Sequence, residues 1–196
     1  MVLSKIILTD PTSVRFDDSG RSPAFFCLQT PLKIDSTLID ELKAVAASRN
    51  NTNVRLCLHK DPDAAFHEMI NLEHAGKYYK PHKHPSKGES YHIIEGSMAF
   101  FVFGQDGEVL DANILDAKNS FMYRVDLDTY HALIPLSDLL IYHESKPGPF
   151  IREGDSLFPD WAPNDTDPES SKQYTRELLG HLDIAKLNEV PGFNLE

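Results

Sequence analysis

Long apolar runs are missing from this sequence. No segment approaches about 18 uninterrupted apolar residues, so no membrane-spanning helix is predicted. The apolar stretch within residues 1–10 is far shorter than a signal-peptide core and is broken by Lys5, which predicts a chain that stays in the cytoplasm. Cysteine is scarce. Cys27 and Cys57 are the two present, and they read as free thiols of a reduced protein rather than as a disulfide. Positive charge is in the minority, with 19 Lys and Arg against 30 Asp and Glu. The resulting net charge of −11 argues against a nucleic-acid partner, because phosphate contacts need clustered Lys and Arg. Also absent are a Gly-rich phosphate loop, a Cys-x-x-Cys pair, a Gly-x-Ser-x-Gly elbow, internal repeats and low-complexity tracts. These absences remove the commonest nucleotide-binding, thiol-redox and serine-hydrolase readings.

What remains is ordinary globular material: 196 residues, 41% apolar and 25% charged. A chain of this length buries roughly 70% of its unfolded surface and needs no disulfide to fold. It reads as one structural domain in three zones. Residues 1–53 form an extension with a short β-rich start and one helix. Asp35 and Ser36 can cap that helix, and Leu38, Ile39, Leu42, Val45 and Ala46 form its apolar stripe. Residues 54–150 carry eight short strand signals, at 54–58, 66–72, 91–95, 98–103, 109–115, 120–125, 131–134 and 139–143, separated by turn residues. Eight strands at this spacing predict a sandwich or barrel, for which the jelly roll is the eight-strand solution. Residues 151–196 form a second extension. Its helix is predicted over 168–179, with Asp167 as cap, Pro168 in the first turn and Gly180 as stop.

The chemically informative stretch runs from Gly76 to Gly96. In an extended segment successive side chains alternate faces, so His82 and His84 point one way and Lys83 the other. Pro85 and Gly88 mark a turn that brings Glu89 back to face the two imidazoles. Two neutral imidazoles and a carboxylate suit a borderline divalent metal. Gly96 fits a tight turn between two strands.

Gly76, His82, His84, Glu89 and Gly96 together match every fixed position of the first motif of the cupin superfamily, which the chain therefore resembles. The resemblance implies a mainly β, RmlC-like double-stranded β-helix or jelly-roll barrel with flanking helices, and a metal held inside near one mouth. The second cupin motif brings a further histidine, and His131 is the candidate. Around it Asp126 stands where proline is usual, Asp128 where glycine is usual and Pro135 where asparagine is usual. Asp128 can still make the turn, because Asp tolerates unusual backbone conformations. Further pieces, Arg55-Leu56-Cys57-Leu58-His59, His67-Glu68-Met69, Glu144-Ser145-Lys146-Pro147-Gly148-Pro149-Phe150 and Trp161-Ala162-Pro163, are similar to the WbuC-like cupin fold metalloproteins. That likeness implies one divalent ion per chain (zinc, iron, nickel or manganese) on His82, His84, Glu89 and His131.

Other residues have two readings each. Tyr91 shares the face of Glu89 and is either a hydrogen-bond donor to a substrate or barrel filling. Glu144, on or beyond the last strand, is an open candidate for acid–base work. Arg55 can pair with an anionic substrate or carry its charge in solvent. His59 and His67 line the barrel mouth or are structural, and His92 faces away from the cavity. The functional expectation is a metal-dependent small-molecule enzyme, an isomerase or epimerase tied by the resemblance to surface-polysaccharide or sugar-nucleotide metabolism. The alternatives are a non-catalytic metal- and ligand-binding barrel, or an iron-dependent dioxygenase. Exposed jelly-roll edges and the N-terminal extension further predict a homodimer.

Overall fold

The computed structural model describes residues 6–20, 22–151, 153–191 and 193. The reading of residues 1–5 therefore lies outside the described part. In chain order the strands are β1 (Val14–Asp17), β2 (Ala24–Cys27), β3 (Val54–Cys57), β4 (Phe66–His74), β5 (Glu89–Glu95) and β6 (Ser97–Phe103). They continue with β7 (Val109–Asp116), β8 (Met122–Val125), β9 (Tyr130–Pro135) and β10 (Leu139–Pro147). Helix α1 (Ser36–Ser48) lies between β2 and β3, while α2 (Pro168–Leu179) and α3 (Ile184–Asn188) follow the last strand.

The strands form two sheets, of orders β1-β2-β3-β4-β10-β5-β8 and β7-β6-β9. From β5 onward the chain repeatedly crosses from one sheet to the other, so neighbours in space are distant in sequence. This is a jelly-roll, double-stranded β-helix arrangement, mainly β with helices outside both sheets. Strand β2 pairs in parallel with β3, Ala24 opposite Arg55, so the extension 1–53 contributes two strands to the large sheet itself. The boundary at residue 53 falls inside that sheet. Four-residue strands carry too little alternation to announce such membership.

Each layer is held by one stripe of side chains. Asp35 accepts the Leu38 backbone N–H at 3.2 Å and starts α1. The buried face of the helix, Leu38, Ile39, Leu42 and Ala46, packs with Val54, Leu56, Ile70, Leu72 and Ile141 on the outer face of the large sheet. Asp167 caps α2 in the same way through the Ser170 N–H. Leu178, Leu179, Leu182, Leu187 and Val190 then cover Ala99, Phe101 and Phe103 on the outer face of the small sheet. Between the sheets Tyr91, Ile93, Met98, Phe100, Leu115, Val125, Leu140 and Tyr142 fill one end of the barrel. Polar side chains are left for the other end.

Gly96 and Asp128 are among the turn residues at positive φ. Gly96 (φ +82°) joins β5 to β6, and a Cβ there would collide with the Leu139 carbonyl oxygen. Asp128 adopts φ +55°, doing the work expected of it in place of glycine. The two cysteines are buried free thiols on opposite faces of the large sheet, Cys27 toward α1 and Cys57 toward the barrel interior. No helix among the described residues is long and apolar enough to cross a membrane.

Candidate metal centre

The segment carrying His82 and His84 is too short for a strand of its own, and two flanking backbones hold it extended. His82 forms a two-bond bridge with His131, its N–H donating to the His131 carbonyl at 3.0 Å and its carbonyl accepting the His131 N–H at 2.9 Å. On the other side Lys83 makes an equivalent bridge to Leu157. The left-handed Asp128 donates its N–H to the His84 carbonyl at 2.7 Å and takes the Lys83 ammonium on its carboxylate at 2.8 Å. Lys83 thus lies away from the imidazoles, as alternation requires. His131 enters from β9 and Glu89 from the first position of β5.

These four side chains converge. One ligand atom from each of His82, His84, Glu89 and His131 lies within 4.8 Å of all the others. Glu89 Oε1 is 3.0 Å from His84 Nε2, and Glu89 Oε2 is 3.0 Å from His131 Nε2. Glu89, His84 and His131 are buried. The far nitrogens of two histidines are tied to backbone: His84 Nδ1 to the Asp155 carbonyl, and His131 Nδ1 to the Thr129 carbonyl at 2.9 Å. A proton on each Nδ1 leaves the Nε2 lone pairs facing the cluster, the tautomer a metal needs. Burial pushes His82 down to about 3, with His131 beside it adding to the effect, so its ring is neutral at physiological pH. Burial by itself would raise the Glu89 carboxyl. The Lys146 ammonium, then the neighbouring His131 and His84 rings, outweigh it and hold the group well below the usual carboxylate range, so it is ionised. His84 Nε2 is buried without a hydrogen-bond partner in acceptable geometry. A buried, aimed and unsatisfied imidazole nitrogen is costly unless something occupies the cluster centre. Three imidazoles and one carboxylate fit a divalent ion there.

The surrounding groups were not all legible in the sequence. Lys146 Nζ lies 2.6 Å from Glu89 Oε1 and 2.9 Å from Glu144 Oε1. Asn71 donates to Glu144 Oε2 at 3.0 Å. Alternation along β10 signals Lys146 once Glu144 is taken to face inward, two residues away. Lys87, itself buried, reaches the Asp155 carboxylate and steadies the residue whose carbonyl holds His84. Asp155 sits in irregular chain, where sequence carries no comparable signal.

The remaining candidates fall as follows. Tyr91 is buried, and its hydroxyl donates to Glu89 Oε2 at 2.5 Å. Burial and the Glu89 charge raise that hydroxyl well above its ordinary range, so Tyr91 orients the carboxylate and is a poor proton donor. His59 and His67 stack face to face, with centroids 4.1 Å apart, on the inward side next to Lys146. Arg55 stands on the same inward side of β3, opposite Asn71. His92 is exposed on the outer face.

A family model described as a domain of unknown function (DUF6016) matches residues 34–115, which include His82, His84 and Glu89 but not His131. No curated protein matches the sequence. Among solved structures, the capsular polysaccharide assembling protein CapF from Staphylococcus aureus matches with 14% identity and a TM-score of 0.47, over 55% of this chain and 29% of that one. The chain thus spans under a third of that protein. A Klebsiella pneumoniae protein with a double-stranded β-helix domain matches at 14% identity and a TM-score of 0.41, over 55% of this chain and 84% of that one. The Lactobacillus farciminis oxalate decarboxylase matches at 17% identity and a TM-score of 0.40, over 65% and 35%.

Proposed function

We propose that this chain is a metal-dependent small-molecule enzyme whose ion is held by His82, His84, Glu89 and His131. The observation that carries the reading is the buried His84 Nε2, unsatisfied and directed at three further donors. A divalent ion in that cluster supplies Lewis acidity, polarising a carbonyl or hydroxyl oxygen of a bound molecule. The chain's own residues do the rest. Tyr91 and Lys146 pin the Glu89 carboxylate from two sides. Asn71 and Lys146 orient Glu144, whose carboxylate is one strand from the cluster and is placed to accept or return a proton. The apolar plug of Phe100, Leu140 and Tyr142 closes the far end of the barrel and keeps water out from that side.

The substrate expected from the family resemblance is a carbohydrate or sugar-nucleotide-like molecule, and the working form is a homodimer in the cytoplasm. Phe66, Phe121 and Met122, exposed on the outer face of the large sheet beyond α1, are apolar surface that a second copy would cover. Static light scattering that finds a monomer at micromolar concentration removes the dimer.

The direct test is elemental analysis of anaerobically purified protein, wild type beside His84→Ala and Glu89→Ala. About one equivalent of metal in wild type, lost in both variants, is the expected result. Turnover of sugars or sugar nucleotides should then disappear in Glu144→Gln with its metal intact. A wild type that takes up no metal after reconstitution overturns the reading. Metal-dependent oxygen uptake would move the chemistry to a dioxygenase.

A further inference from the structure

We propose that Arg55 is the recognition residue for an oxyanion on the small molecule bound in the barrel, a carboxylate or a phosphate. The inference rests on the reading of the barrel interior as the ligand site and adds the charge class of the ligand.

On the inward face of the large sheet Arg55 lies opposite Asn71, and Asn71 opposite Tyr142. Asn71 is bonded to Glu144, Glu144 to Lys146 and Lys146 to Glu89. A continuous polar track therefore leads from beside Arg55 to the metal cluster. Every member of that track except Arg55 has a partner. The Arg55 side chain makes no hydrogen bond or ion pair with any described residue, and its Nε is buried with no partner. Its nearest carboxylate on the track, Glu144, is taken on one oxygen by Asn71 and on the other by Lys146. Lys146 and Lys87 are both paired, and Arg15, on the same face, stacks on Phe26 and pairs with Asp17.

A half-buried guanidinium left unpaired costs free energy, and that cost is recovered when a ligand supplies the missing charge. The planar fork of donors matches the two oxygens of a carboxylate or phosphate, which a point-charge ammonium does not. Position limits size. Three strand spacings, about 14 Å, separate β3 from β5, and Ile93 is the β5 residue level with Arg55, so Glu89 lies four residues, about 13 Å, further along the strand. The ligand is a two-ended molecule, with an oxyanion at Arg55 and a hydroxyl or carbonyl oxygen at the cluster.

The test is calorimetric titration of inorganic phosphate and, separately, of succinate. Each is added to metal-loaded and to chelator-treated wild type, Arg55→Met and Arg55→Lys. Arg55→Met should weaken at least one probe by roughly tenfold or more, with Arg55→Lys intermediate because it keeps charge but not the fork. The metal content of both variants should equal wild type. The probe that shows the dependence tells carboxylate from phosphate. Anion affinity unchanged in a folded, metal-replete Arg55→Met protein overturns the proposal, as does a wild type that binds neither probe. Failure of the metal reading looks different. Wild type would then hold no ion, while an Arg55-dependent anion affinity, if present in that protein, would still support the subsite.

Discussion

Removing the Lys146 ammonium, as in Lys146→Met, separates what the fold needs from what the metal centre needs. Its nitrogen lies 2.6 Å from Glu89 and 2.9 Å from Glu144, and the three side chains are 16%, 1% and 13% exposed. Without the ammonium, two nearly dry carboxylates face each other with no cation between them. Breaking a buried pair by deleting one partner costs about 3–5 kcal/mol. For a chain of this size each kcal/mol moves the melting temperature by about 2–4 °C, so the chelator-treated variant should melt about 6–20 °C below wild type. The metal-loaded comparison should differ. A divalent ion replaces the lost cation at Glu89, and only Glu144 stays uncompensated, so the deficit should fall to roughly half. By reciprocity the variant should bind the ion more tightly than wild type. Adding Glu144→Gln to Lys146→Met should return part of the remaining loss. Thermal unfolding followed by circular dichroism, with and without chelator, reads all of this. Equal deficits in the two states, or weaker metal binding by the variant, would refute the reasoning.

Lys87→Met should loosen Asp155, whose carbonyl fixes the tautomer of His84, and lower metal affinity by about 10–100-fold with all four ligands present, as read by competition with a chelator. His59 supplies a pH prediction. Burial, then the neighbouring His67, lowers it from 6.5 to about 4, so the folded protein binds fewer protons than the unfolded chain in that window. Its stabilising contribution is complete above 6.5 and is lost as pH falls through 4. Replacing it by Gln should flatten the acid limb of the stability profile of the metal-free protein. Burial raises the thiols of Cys27 to about 11 and Cys57 to about 12, so at pH 8 both should alkylate far more slowly in native protein than in denaturant. Fast labelling of either in the folded state would contradict their placement.

How much of this was legible beforehand depends on the range over which each interaction acts. The eight strands predicted between residues 54 and 143 all appear, most within a residue or two of their expected ends, because alternation and turn residues act over a handful of positions. The caps Asp35 and Asp167, the positive φ of Gly96 and Asp128, and the shared direction of His82 and His84 are local in the same sense. The short helix α3 and the strands β1 and β2 were less visible, since four or five residues hold hardly one period of any pattern.

Local pattern in the sequence was enough for a mainly β, jelly-roll barrel and for the four side chains that meet in its cluster. Tertiary structure alone decided what surrounds them. Lys146 meets Glu89 across 57 residues, and His84 is oriented across 71 residues by a backbone carbonyl, a group every residue carries and no side chain advertises. That the Arg55 side chain stands without a partner among the described residues is likewise a fact about all its neighbours at once. Such facts follow from which strands cross between two sheets, and no local periodicity encodes that crossing.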